Sequence, residues 1–176
     1  RRAAIQRQLL PVLLGWFGDG SDPDAGLQAF RRLSDELGST HWYLKLLRDS
    51  GAAAQRLARL LSSSRYVADA LARSPESVAW LDDDAELTPR DADRLGAEAD
   101  AVLTRQHDPA EAATLLRALR RRELARTAVA EVLGRSAVPV TSAALTAATD
   151  VVLIGALRIA EHELGDRKST RLNSSH

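Results

Sequence analysis

The chain contains no cysteine, which excludes a disulfide framework and any thiolate metal site. It contains no methionine, so no start residue stands anywhere in it. Aromatic residues are sparse at 4%. No charge of one sign predominates, because 24 lysines and arginines meet 24 aspartates and glutamates. Phosphate recognition in nucleic acids depends on clustered cations that release counterions. This balance leaves no such footprint, so the expected partners are proteins rather than nucleic acid. Long apolar runs are missing too. The most apolar stretch, Val151 to Leu157, is bounded by Asp150 and Arg158. It is far shorter than the roughly 20 residues that cross a bilayer, and no membrane segment is expected. The lack of cysteine is compatible with a cytoplasmic setting.

What is present is an ordinary globular composition, 45% hydrophobic and 27% charged. Its length suits one domain of about 100 to 200 residues, or a subdomain with the start of the next. Residues 166–176, Asp-Arg-Lys-Ser-Thr-Arg-Leu-Asn-Ser-Ser-His, read in codons as a common sequencing-library adapter. They are set aside as non-native before fold reasoning. With Arg1 falling inside a helical pattern, the expectation is an interior fragment. Without the tail the balance is 21 basic to 23 acidic residues, still near neutral.

Four of the six prolines follow a capping residue: Asp22-Pro23, Ser74-Pro75, Thr88-Pro89 and Asp108-Pro109. Such pairs mark helix starts, because the side-chain oxygen accepts an orphan amide and proline needs no donor at the first position. Between them the apolar spacing is helical and nowhere alternates as a half-buried strand does. An all-α multi-helix bundle follows. Helices are predicted over 2–17, 23–37, 40–48, 51–62, 65–73, 75–81, 89–105, 109–134 and 141–164. Asp82-Asp83-Asp84 makes an acidic connector. It divides the chain into a region of short helices, 1–84, and a region of three longer ones, 85–165.

Gly20-Ser21-Asp22-Pro23-Asp24 spells G-S-D-x-D, the signature with which nucleotidyltransferases hold Mg²⁺. That chemistry needs both carboxylates on one face of a strand. Here Pro23 intervenes and helical spacing follows, so the residues are read as a helix cap instead. His41, His107 and His162 lack ligand spacing. Trp16, Trp42, Tyr43, Tyr66 and Trp80 are expected in the core or at subdomain interfaces. No catalytic, cofactor or metal residue is assigned.

Helix 109–134 carries the anomaly. Placed at 100° per residue, Leu115, Leu119, Val129 and Leu133 form one apolar stripe with Arg122 and Arg126 in its middle. A buried guanidinium without a partner costs several kcal/mol. Three readings stay open: stems packed in a groove with heads in water, a structural ion pair, or contact with another domain. Asp150 on the following helix is a candidate partner, and Arg122, Glu123, Arg126 and Asp150 are the candidate interdomain contact.

Several segments together resemble one family. They are Leu9-Leu10-Pro11-Val12-Leu13-Leu14, Asp22-Pro23-Asp24-Ala25-Gly26-Leu27 leading to Phe30-Arg31-Arg32-Leu33-Ser34, and Tyr43-Leu44 with Leu46-Leu47-Arg48-Asp49. Further along come Leu60-Leu61-Ser62-Ser63-Ser64-Arg65-Tyr66-Val67-Ala68-Asp69, Arg73-Ser74-Pro75-Glu76, and Leu119-Arg120-Arg121-Arg122-Glu123-Leu124-Ala125-Arg126. Their order and spacing are similar to those of the bifunctional glutamine synthetase adenylyltransferase and adenylyl-removing enzymes, in their actinobacterial form. Thr127, where a bulkier apolar residue is usual, and Ser136 to Val140 depart from the pattern.

The resemblance implies a parent enzyme with two nucleotidyltransferase halves acting on glutamine synthetase, one removing AMP by phosphorolysis and one attaching it from ATP, with Mg²⁺ as the implied metal. Between them it implies a helical centre responsive to a PII-type signal protein. By the resemblance, residues 1–84 belong to that regulatory centre. Residues 85–165 then lead into the second nucleotidyltransferase domain, whose metal-binding strand lies outside this chain. The expected function is a non-catalytic regulatory and connecting region of an enzyme of nitrogen regulation, inactive alone. The competing expectation is a freestanding helical module that binds a partner helix.

Overall fold

The computed structural model describes residues 11–173, with side chains as far as Gly165. All its regular elements are helical and, among the described residues, no strand occurs, so the fold is all-α. Helix α1 covers residues 11–18, and the start of the helix expected from residue 2 lies outside the described residues. There follow α2 (Pro23–Leu37), α3 (His41–Asp49), α4 (Gly51–Ser63), α5 (Arg65–Arg73) and a 3-10 helix, Pro75–Asp82. Then come α6 (Ala92–Arg105), α7 (Pro109–Val132) and α8 (Val138–Asn173).

Local chemistry explains most of these boundaries. The Asp22 carboxylate accepts the Ala25 amide, Ser50 the Ala53 amide, Ser64 the Val67 amide and Asp108 the Glu111 amide. At the end of α7, the Arg135 amide donates to the Ala130 carbonyl at 2.8 Å and the Gly134 amide to Glu131 at 2.9 Å. Gly134 has φ of 69°. This double turn needs a left-handed residue, which glycine supplies without strain.

Two expected starts are corrected. Thr88-Pro89 opens no helix: the Thr88 hydroxyl and amide turn back to the Asp84 and Ala85 carbonyls, and α6 starts only at Ala92. The cap of α6 is Asp91, whose carboxylate accepts the Arg94 amide at 2.8 Å. Helix α8 begins at Val138 rather than Thr141. The segment from Pro75 is a 3-10 helix rather than an α-helix: Ser77 donates to Ser74, and Asp83 to Trp80. Buried Val78 and Leu81 lie three apart, which suits a three-residue turn.

The chain forms two compact units: the first runs through Thr88 and takes in Ala125–Ala137, the second comprises Pro89–Leu124 and the segment from Val138 onward. A single cut after residue 84 does not describe this, because the last turns of α7 belong with the first unit. In the first unit α4 is central, with Ala53, Leu57, Ala58 and Leu60 fully buried, and α2, α3, α5 and the 3-10 helix pack around it. In the second, α6 packs on α8, and Leu95, Ala99, Leu116, Leu119, Ala148 and Val151 form the core.

Within the first unit, buried Ser62 ties the α1–α2 turn to the end of α4. Its carbonyl accepts the Asp22 amide at 2.9 Å and the Ser21 hydroxyl at 3.0 Å. A side chain at Gly26 would stand 2.9 Å from Phe17 Cδ1 and from Ser62 Cβ, so only hydrogen fits there.

Candidate functional site

Helix α7 carries two charged residues at positions its packing makes interior. Ala112, Leu116, Leu119, Glu123, Arg126 and Ala130 are all buried and recur every three or four residues. Leu115, placed on the stripe by sequence, is 37% exposed, and Leu116 takes its position.

Arg126 is 1% exposed and belongs to the first unit. Its Nη1 donates to the Glu86 carbonyl and to Glu86 Oε2 at 2.8 Å. The guanidinium carbon lies 4.1 Å from the centroid of the Trp80 ring. The positive head therefore meets a carboxylate, a carbonyl and an aromatic face, which together replace the water it gives up. Asp84, in the same connector, receives Arg56 Nη2 at 2.6 Å and Arg135 Nη2 at 3.1 Å, while Arg56 Nη1 donates to the Leu81 carbonyl. The Arg135 hydrogen bond above all, then that of Arg56, holds the Asp84 carboxyl below the usual carboxylate range. Three arginines thus pin the acidic connector that the sequence shows only as a loop.

The second unit closes a ring of alternating charges. Arg90 and Arg122 each pair with Glu98, and Glu123 Oε1 stands 3.8 Å from Arg90 Nε and 3.3 Å from Arg122 Nε. The Glu123 side chain is 3% exposed and that of Arg122 39%. Burial works against the charge on Arg122, but the Glu98 hydrogen bond and the charges of Glu98 and Glu123 outweigh it, so its pKa lies above the ordinary arginine value.

These contacts correct the sequence expectation. The partners of Arg122 and Arg126 are Glu98, Glu123 and Glu86, not Asp150, which is exposed on α8. The groove reading fails for Arg126, whose head is out of water. Of the four candidate interdomain residues, Glu123 and Arg126 are engaged inside their own units, and Arg122 and Asp150 keep exposed surface.

Asp22 and Asp24 stand at the first turn of α2, not on a strand. One Asp22 oxygen takes the Ala25 amide, and the other faces Arg65 at 3.8 Å. This pair does not fit Mg²⁺, which demands several hard oxygens in octahedral array. Among the described residues, no group of three histidines or acids could hold a metal ion. Tyr43 is buried, and Trp16 and Trp80 pack against the core as expected. Trp42 and Tyr66, expected there too, are 38% and 49% exposed.

A family model described as glutamate-ammonia ligase adenylyltransferase matches residues 54–176. The chain belongs to that family. It is 54% identical over 157 residues to the bifunctional glutamine synthetase adenylyltransferase/adenylyl-removing enzyme of Leifsonia xyli, covering 89% of this chain and 16% of the relative. The enzymes of the same name from Streptomyces coelicolor and Cutibacterium acnes are 46% and 45% identical over 97% and 94% of this chain. They are covered to 19% and 17% of their lengths. The chain therefore spans less than a fifth of the curated relatives it matches. No solved structure matches.

Within this family member, the sequence singles out the two arginines and the adjacent Glu123, but not Glu98, Glu86 or Arg90, which complete the pairing. Glu98 was recoverable: it stands between buried Leu95 and Ala99, beside the apolar stripe of α6, where an acid implies a cation opposite. Glu86 and Arg90 lie outside helices. Periodicity carries no signal there.

Proposed function

We propose that this chain is a non-catalytic helical region of a bifunctional glutamine synthetase adenylyltransferase/adenylyl-removing enzyme, connecting its catalytic heads and passing regulation between them. Family membership and the names of the relatives support the parent activity. The observation that carries the non-catalytic reading is the engagement of Asp22 as the cap of α2, in the one run that spells the metal-binding signature. In this reading ATP and Mg²⁺ act on carboxylates elsewhere in the parent enzyme, the setting is cytoplasmic, and a PII-type protein is a candidate regulator.

Helix α8 supports the connecting role. Ala144, Ala148 and Val151 face the core, while Leu153, Leu157 and Leu164 are 58%, 63% and 58% exposed on the opposite side. A helix apolar on both sides is expected to be covered on both, which agrees with a chain that spans so little of its relatives. Arg122 and Asp150 are the charged residues left to meet a neighbouring domain.

Two measurements test the proposal. The chain alone, with ATP, Mg²⁺ and glutamine synthetase, is expected to transfer no AMP; catalytic transfer would end the non-catalytic reading. In the full-length enzyme, Arg122→Gln is expected to shift the effector response several-fold. Adenylylation and effector response both unchanged would remove Arg122 from the coupling. Arg126 is unsuitable for this test because loss of its charge at a buried site disrupts the fold itself.

A further inference from the structure

One pocket of the first unit is lined by three arginines and takes no part in the proposed function. Its volume is about 440 Å³, within the range of roughly 300 to 1,000 Å³ typical of small-ligand sites. Helix α4 supplies one wall: Gln55, Arg56, Arg59 and Ser63 fall on one face by their spacing, and all four line the pocket. The turn after α7 supplies Arg135, aimed by the left-handed Gly134, and α1 supplies the half-buried Trp16.

The charge inside is unbalanced. Arg56 and Arg135 share a single carboxylate oxygen, Asp84 Oδ1. Among the described residues no carboxylate pairs with Arg59, which is exposed into the pocket. Asp19 is the one acid in the lining. Three cations thus face two anions, one of which is already shared. Guanidinium forks match the planar oxygen pairs of carboxylates and the edges of phosphates, and the Gln55 amide and Ser63 hydroxyl can donate beside them.

We propose that this pocket binds a small oxyanion, of the phosphate or polycarboxylate class, with Arg59 as the residue that grips it. Binding completes the charge pairing of Arg59. The claim concerns binding alone and stands apart from the regulatory reading.

The test uses the whole 176-residue chain. Pyrophosphate and citrate are titrated separately by calorimetry at low and high salt, with indole fluorescence in parallel because Trp16 lines the site. Saturable binding of either is expected, weaker at high salt as a charge-assisted contact requires. The anion that saturates names the class. Arg59→Gln is expected to weaken binding about tenfold or more, the scale of one lost charge-assisted contact. Its helical circular dichroism should stay unchanged, since the side chain is exposed. Arg31→Gln, removing another surface arginine of the same unit, should leave affinity unaltered. Absence of saturation with both anions at millimolar concentration overturns the proposal, and so does binding that Arg59→Gln leaves intact.

Discussion

At the scale of single residues, burial separates two arginines that the sequence presents as equals. Arg126 is 1% exposed and exchanges water for Glu86 and Trp80, whereas the Arg122 side chain keeps 39% of its surface. Removing one member of a buried pair costs about 3 to 5 kcal/mol. Because the Glu86 side chain is 35% exposed, the low end of that range or about 2 kcal/mol is expected for Arg126→Ala. Arg122→Ala should cost about 1 kcal/mol or less, as partly solvated pairs do. Urea unfolding of the two variants checks this ordering, and equal losses would refute it. Helical phase placed both arginines on the apolar stripe from sequence alone. It could not reveal that Glu86 comes from a connector and Glu98 from a different helix, because such pairing depends on tertiary approach; only Glu123 adjoins its arginine in the chain.

A second residue-scale expectation concerns alkaline pH. Burial pushes the Tyr43 hydroxyl up to about 12, with the Ser34 hydrogen bond opposing it. The neutral form is therefore favoured by folding. Tyr43 contributes stability that is fully present below its unfolded value of about 10 and is lost as pH rises through about 12. Phenolate absorbance should show one tyrosine titrating late and together with loss of helix. Reversible titration of Tyr43 near the unfolded value, with the helices intact, would contradict its burial.

At the scale of elements, the four proline-marked starts behave differently: Asp22 and Asp108 cap the helices they precede, whereas Ser74 opens a 3-10 helix without a side-chain cap bond. Asp22, Ser50, Ser64 and Asp108 each accept an amide of the helix they precede. Thr88 carries the same chemistry before a proline, yet its hydroxyl is drawn back to Asp84. The sequence pair cannot say which way the oxygen turns. Two glycines make a matching contrast. Gly96 lies inside α6 with open space where a Cβ would stand, nothing being within 4 Å, so Gly96→Ala should stabilise by about 0.5 to 1 kcal/mol through helix propensity. Gly26→Ala gains the same propensity in α2 but drives a methyl to 3.0 Å from the Ser62 backbone. Overpacking of about 1 to 3 kcal/mol should win. Thermal unfolding of both variants decides it, and a stabilised Gly26→Ala would mean that the α2–α4 contact yields easily.

At the scale of the whole molecule, α8 is where sequence and structure part most. By its longest apolar run, Val151 to Leu157, the sequence predicts no membrane segment, yet Val138–Gly165 is long and apolar enough to cross one by length and composition. Alanines between the larger residues account for the difference, because they keep the average apolar while threonines and Gly155 break the run. The arrangement of the leucines gives a more specific consequence. Leu153, Leu157 and Leu164 form one exposed row opposite the packed face of α8, and such a row lowers its free energy by burying itself against any apolar surface on offer. For this chain in isolation the surface on offer is a second copy. Sedimentation velocity should show association that grows with concentration, and Leu153→Ser with Leu157→Ser should return the chain to a monomer while leaving its helix content unchanged. The Ala148 and Val151 face remains packed on α6 in that variant, so loss of helix would show instead that the outer row supports the fold, and persistent association would place the contact elsewhere.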